Sequence, residues 1–298
     1  MLYAQTRSPK IFAAVKNNNL TELRTLLNEG ADPNSYDDDS DHVLMIAALH
    51  SSVDIMQLLL DKGSDPNAKN SFDETALMWS VHDISKMKLL IQHGADVNAK
   101  AQSGNTPLLI ASVGYGKYDA IKLLLDKGAD ALTTNNKKEN SLIRAALYGD
   151  TATISLLLSK GIDINAGDRD TLTPLLNSVF NVNRLVTIQL LERGADPDRK
   201  GAYGLTGLSG AVTFNDLESV LAILKKAKDI NTQDHEGHTA LMWAVYNEHD
   251  NADIIKALLD RGADVNIKGK DGATALSWAL KKGNNTATVA LLKKAGAK

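Results

Sequence analysis

One phrase returns along almost the whole chain: two apolar residues, usually leucines, two polar residues, then Gly-Ala-Asp-x-Asn. It reads LLNEGADPN at 26–34, LLDKGSDPN at 59–67, LIQHGADVN at 90–98 and LLDKGADAL at 124–132. It continues as LLSKGIDIN at 157–165, LLERGADPD at 190–198, ILKKAKDIN at 223–231 and LLDRGADVN at 258–266, and a partial copy closes the sequence at LLKKAGAK. Successive copies are 31 to 35 residues apart. An isolated catalytic motif has no reason to recur in this way, whereas a structural unit that stacks on copies of itself does. Such a chain is restricted to an array in which each unit buries its apolar face against its neighbours.

The chemistry of one unit is readable. Leucines at helical spacing form the apolar face of a helix. Gly30, Gly63, Gly94, Gly128, Gly161, Gly194 and Gly262, with Ala227 in one slot, suit a left-handed C-terminal cap. The Asp-x-Asn that follows is turn chemistry, because short polar side chains bond their own backbone. Further on stands Thr75, Thr106, Thr173, Thr206, Thr239 or Thr274, a residue that accepts backbone N–H bonds at a helix start. Pro107 and Pro174 follow directly, where a missing N–H costs little. Five and six places after that slot come small residues, such as Ala47 and Ala48, Ala111 and Ser112, or Ala145 and Ala146, which let helices approach closely. Each unit therefore predicts a turn, a short helix, a tight turn and a longer helix.

With the opening T-P/A-L, the paired small residues and the closing LL-x-x-G-A-D-x-N, the sequence resembles the ankyrin repeat family over roughly residues 8–298. The TALMW variants at 75–79 and 239–243 read as more bacterial than animal. The resemblance implies an all-α solenoid of stacked helix pairs with β-turn or hairpin fingers along one edge. One array over 1–298 is expected, with repeats at roughly 4–34, 35–67, 68–98, 99–132, 133–165, 166–198, 199–231, 232–266 and 267–298. The third repeat is two residues short, the fourth carries one extra in SVGYGKYDA and the eighth two extra in YNEHDNAD. Around 132–140 the usual Asn, Gly and Thr-Pro are missing, with Asn140 and Ser141 in the Thr-Pro slots. Neutral drift in a loop and local reshaping of a binding surface are both open there. The polar first and last copies read as caps of a complete array.

Composition narrows the chemistry. Cysteine is absent from the 298 residues, which removes disulfides, thiol catalysis and Cys-ligated metal. A net charge of −3 gives no global drive toward nucleic acid or anionic membrane. Residues 1–100 hold 9 Lys/Arg against 14 Asp/Glu and residues 250–298 hold 9 against 5, so the two ends differ in sign. No apolar run approaches a membrane span. The opening MLYAQTRSPK is not an intact signal peptide; YAQ is either the stub of a trimmed one or an ordinary terminus. A soluble protein follows, cytoplasmic, or periplasmic or secreted if a leader has been removed.

His235-Glu236-Gly237-His238 offers two imidazoles, but on a finger, where the spacing does not converge them on one ion. The acidic run YDDDSD at 36–41 lacks the glycine and terminal glutamate of a calcium loop. Neither is read as a metal site, and no cofactor is expected. Trp79, Trp243 and Trp278 fall four residues after the Thr slot and read as packing between repeats. No nucleophile elbow or phosphate-cradling loop appears, and no stripe interleaves aromatic with basic residues.

The leading reading is a non-enzymatic module, a monomer, that binds a protein or peptide partner. The alternative is a regulatory or inhibitory subunit of a bacterial enzyme, or a secreted effector. In the ankyrin fold the concave side is built from finger tips and from the two residues after the small pair. Those positions hold Phe72, Tyr148, Phe180, Tyr203, Phe214 and Tyr246, six of the eleven Phe and Tyr, together with Leu172 and Leu205. Most lie in repeats five to eight, which predicts one patch about 30 Å long, with Phe180, Tyr203 and Tyr246 as central anchors.

Overall fold

Every copy of the leucine phrase forms the second helix of a helix pair. The computed structural model describes residues 9–246, 252–282 and 286–298. It divides into two compact units, Met1–Ser141 and Leu142–Lys298. The extra residues of YNEHDNAD and the first eight residues lie largely or wholly outside the described residues.

In the first unit the pairs are α1 (Pro9–Lys16) with α2 (Leu20–Asn28), α3 (Val43–His50) with α4 (Val53–Asp61), α5 (Ala76–Trp79) with α6 (Ile84–Gln92), and α7 (Pro107–Ala111) with α8 (Tyr118–Asp126). In the second, α9 (Ser141–Tyr148) begins at the boundary and precedes α10 (Thr151–Leu158). Then come α11 (Pro174–Phe180) with α12 (Arg184–Glu192), α13 (Gly207–Thr213) with α14 (Leu217–Leu224), α15 (Ala240–Tyr246) with α16 (Ala252–Asp260), and α17 (Ala275–Lys282) with α18 (Thr286–Lys294). Within each unit first helices pack on first helices and second on second, as α3 on α5 and α4 on α6, or α13 on α15 and α14 on α16. The core is this double stack, filled by residues such as Leu44, Met45, Leu59 and Leu77 in the first unit and Leu176, Leu190, Ala211 and Ile255 in the second. Among the described residues there is no β-strand, only an isolated antiparallel bridge between Tyr36 and His42. No described helix is long and apolar enough to cross a membrane.

The caps follow the sequence with informative exceptions. The seven phrase glycines have φ between +80° and +96°. At Gly94 a Cβ would meet nothing within 4 Å, so it is the left-handed backbone and not crowding that selects glycine. Ala227 is not in that conformation; its N–H bonds the Ile223 carbonyl at 2.8 Å instead. Thr106, Thr173, Thr239 and Thr274 accept the expected amide bond, and Thr206 forms a reciprocal capping box with Ser209. Thr75 does not. Its helix is a single turn, and the Met78 amide bonds the Thr75 carbonyl at 3.1 Å in place of the hydroxyl. In the second repeat His42 takes the slot, and its Nδ1 accepts the Leu44 amide at 3.3 Å.

The Asn of Asp-x-Asn does more than close its own turn. Asn67 Nδ2 donates to the Gly94 carbonyl at 2.9 Å, and its Oδ1 accepts the Asp96 amide at 2.7 Å. Asn34 does the same to Gly63 and Asp65, and Asn98 to Gly128 and Asp130. In the second unit the Asp196 amide bonds Asn165 and the Asp264 amide bonds Asn231. One side chain thus satisfies the exposed carbonyl at the end of the next second helix.

Candidate partner-binding surface

The fingers are held by a residue at their base. Asn70 Oδ1 accepts the amides of Phe72 and Glu74 at 3.0 and 2.9 Å, and Asp168 and Asp234 act alike in the second unit. The segment around 132–140 keeps this design, because Asn135 accepts from Lys137 and Glu139. Neighbouring fingers join through their backbones: the Gln102 amide bonds the Phe72 carbonyl at 2.9 Å, and the His235 amide bonds the Tyr203 carbonyl at 2.8 Å.

Five of the eight residues expected at a partner surface meet in one place. Leu172, Phe180, Tyr203, Leu205 and Phe214 line a pocket of about 380 Å³ in the second unit. Ala202, Gly210 and Thr213 complete it. Phe180 and Phe214 meet edge to face at 6.4 Å and 62°. Phe180 lies over Gly210, where a Cβ would come within 2.6 Å of its ring, so the close approach requires glycine. Sequence reasoning missed Gly210. The signal was there: it stands four residues after Thr206, in the slot that holds Trp79, Trp243 and Trp278 elsewhere.

Tyr203 is 77% exposed and sits in the left-handed region at φ +61°. Its finger begins with Gly201 and so lacks the side-chain acceptor that holds the corresponding amides of Phe72, Asp170 and Glu236. A non-glycine residue held there stores strain, which is common at binding sites.

The remaining three residues fall elsewhere. Tyr246, half exposed, packs on Trp243 and Trp278 at ring separations of 5.9 and 5.3 Å. Tyr148 ends α9 and is partly exposed; Phe72 is an exposed finger tip of the first unit. Neither lines the pocket.

The three tryptophans are half-buried and not full core residues. For two of them the cause is the N–H. Trp79 Nε1 donates to Glu74 at 3.0 Å and Trp243 Nε1 to Asp234 at 2.9 Å, which holds the indoles against the fingers. Trp79 also packs against Met78, Ala99 and Ala101.

The two finger histidines face different neighbours. His235 lies against Gly204 of the preceding finger, and His238 lies against Gly269 of the next and 4.6 Å from the Trp278 ring. The acidic run is also structural: Asp37 accepts the amides of Asp39 and Asp41, and Asp41 accepts Asn70 Nδ2. Burial, with Asp37, Asp39 and Glu74 nearby, raises the Asp41 carboxyl above its ordinary value although the Asn70 bond opposes this. Among the described residues no three His, Asp or Glu side chains are grouped so as to hold a metal.

Comparison with protein families agrees with this architecture. The model for ankyrin repeats matches residues 11–101, 44–135, 108–201 and 208–298. A search of curated proteins returned no match. Ankyrin repeats are generally protein–protein interaction modules and typically carry no catalysis of their own. With matches spread over nearly all of residues 11–298, and with helix pairs, glycine caps and fingers at the repeat period, the chain belongs to the ankyrin repeat family.

Proposed function

We propose that the protein is a non-enzymatic scaffold, a monomer without cofactor, that binds a protein or peptide through the fingers and first helices of its second unit. The observation that carries this reading is the pocket lined by Leu172, Phe180, Tyr203, Leu205 and Phe214. Exposed aromatic side chains are costly in water and are enriched among interface anchors. The pocket has no charged side chain in its lining, which favours a protein surface over a nucleic-acid backbone. Phe180, Tyr203 and Tyr246 are the proposed anchors, and Leu172, Leu205 and Phe214 the supporting walls. Tyr148 and Phe72 are proposed as further contacts.

The test is a Phe180→Ala, Tyr203→Ala, Tyr246→Ala variant, checked for folding by circular dichroism. Immobilised wild-type protein should retain specific proteins from extracts of the source cell, and the folded variant should lose them. Equal retention by both would remove this surface as the site.

A further inference from the structure

We propose that the pocket of the second unit has one fixed wall and one moving wall. The Tyr203 finger, the start of α13 and the last turn of α14 open together as one local unit, while Leu172, Phe180 and Phe214 stay in place. The inference goes beyond the docking reading and does not depend on it.

Three departures from the repeat meet at this end of the helix pair. The first is in the finger. Gly201 stands where Asp168 and Asp234 each accept two finger amides. The finger of the last repeat also begins with glycine, Gly269, but there Asp271 Oδ1 accepts the Ala273 amide at 2.9 Å. Among the described residues, the hydrogen bonds within the Tyr203 finger are all backbone to backbone: the Gly201 amide to the Leu205 carbonyl at 2.8 Å and the Leu205 amide to the Ala202 carbonyl at 3.3 Å. Tyr203 and Gly204 are consecutive left-handed residues, at φ +61° and +77°, whereas the flanking fingers have one each, Thr171 and Gly237.

The second departure is in α13, which contains Gly207 and Gly210, whereas α9, α11, α15 and α17 contain no glycine. Glycine has the most backbone freedom to lose on folding. The third is the end of α14. In the flanking repeats the amide after the phrase glycine closes back on the helix, Ala195 on the Leu190 carbonyl at 2.9 Å and Ala263 on the Leu258 carbonyl at 3.0 Å. The corresponding Lys228 amide instead bonds Asp198 Oδ2 at 2.9 Å. The Leu224 and Ala227 carbonyls receive the Arg261 guanidinium of the next repeat, at 2.9 and 3.4 Å. This helix end is closed from outside the helix, not by its own backbone.

The three places touch. A Cβ on Gly207 would lie 3.6 Å from Ile223 Cδ1 and 3.7 Å from the Pro197 carbonyl, so the start of α13 rests on the last turns of α14. The far end of the pair is anchored: Ala211, Val212 and Val220 are buried, and Phe214 holds its edge-to-face contact with Phe180. Of the pocket lining, Leu172 and Phe180 belong to the preceding repeat, and the Leu172 amide is tied to Asp168 at 2.9 Å. Ala202, Tyr203, Leu205 and Gly210 lie on the loosely held side. Segments with few side-chain ties and freer backbone open at lower cost than the core, and binding loops are drawn from that end of the scale. The pocket therefore changes size without the repeats coming apart.

The test is amide hydrogen exchange, read by NMR on the full chain. Protection at Gly201, Leu205 and Gly210 should be about ten-fold below that of the corresponding Asp234, His238 and Trp243 amides. Gly207→Ala meets only ordinary van der Waals contacts. It should raise protection about three-fold over 201–210 and 223–228 and leave 174–192 unchanged. Arg261→Met keeps an unbranched apolar stem and removes the donors to Leu224 and Ala227; it should lower protection at 223–228 and, through the shared contact, at 201–210. Equal protection within the three amide pairs would overturn the inference. So would a Gly207→Ala effect spread evenly over the second unit, which marks global unfolding, or an Arg261→Met effect confined to 223–228. The wild-type comparison and Gly207→Ala decide the matter if Arg261→Met does not fold.

Discussion

His42 Nε2 lies 3.2 Å from Asn34 Oδ1, while His42 Nδ1 accepts the Leu44 amide at 3.3 Å. A neutral imidazole thus caps α3 and supports the asparagine that joins Gly63 and Asp65. The ring is 1% exposed, and burial lowers its pKa from 6.5 to about 4 against the opposing pull of Asp65 and Asp32. The unfolded chain takes up the proton first as pH falls, so stability from this group is complete above about pH 6.5, declines between 6.5 and 4, and is flat below. The loss should approach about 3 kcal/mol over that window. His42→Thr installs the ordinary cap and should flatten the difference between urea midpoints at pH 7 and pH 4.5; an unchanged difference would remove His42 as its source.

Asp234 receives three N–H groups, from the Glu236 amide, the His238 amide and Trp243 Nε1, at 2.8 to 2.9 Å. Asp234→Ala leaves all three without that acceptor and should cost about 2–3 kcal/mol. Trp243→Phe removes one donor only and should cost about 1 kcal/mol. Chemical denaturation ranks the two, and tryptophan emission should move to the red in Asp234→Ala as the indole loosens from the finger.

Asn67 makes two exposed hydrogen bonds to the next repeat, at 2.9 and 2.7 Å. Asn67→Ala should lower stability by about 1 kcal/mol. Because such arrays couple through nearest neighbours, hydrogen exchange should quicken most around 94–98 and least in distant repeats.

Tyr203 occupies a left-handed conformation that glycine adopts freely. Tyr203→Gly should therefore leave stability unchanged or raise it by up to about 1 kcal/mol, while weakening partner capture. A clear fall in melting temperature would show that the ring contributes packing which its exposure does not reveal.

Gly94→Ala and Gly210→Ala separate two roles of glycine. At Gly94 the space is open and φ is +88°, so the cost should be about 1 kcal/mol, all of it backbone. At Gly210 the helix gains from alanine by about 1 kcal/mol, but the new Cβ meets the Phe180 ring at 2.6 Å. Net stability should change little and the Phe180 ring should move; NMR shifts confined to the pocket lining would report it.

The amino-acid sequence by itself determined the period, the helix pairs and most of the caps, because these depend on contacts within some thirty residues that repeat many times. Leucine spacing sets the buried face, glycine the left-handed cap and threonine the helix start, and each copy repeats the instruction. It also marked Leu172, Phe180, Tyr203, Leu205 and Phe214 as surface positions. Only the tertiary structure decided that these five form one pocket while Tyr246 instead joins Trp243 and Trp278. It likewise decided that the Trp79 and Trp243 indoles stay half-buried, because a finger carboxylate and an indole N–H must meet in space before either is satisfied. Gly210 matters for the same reason: it lets the Phe180 ring of the preceding repeat approach its backbone, a contact between separate repeats that exists only once they are stacked.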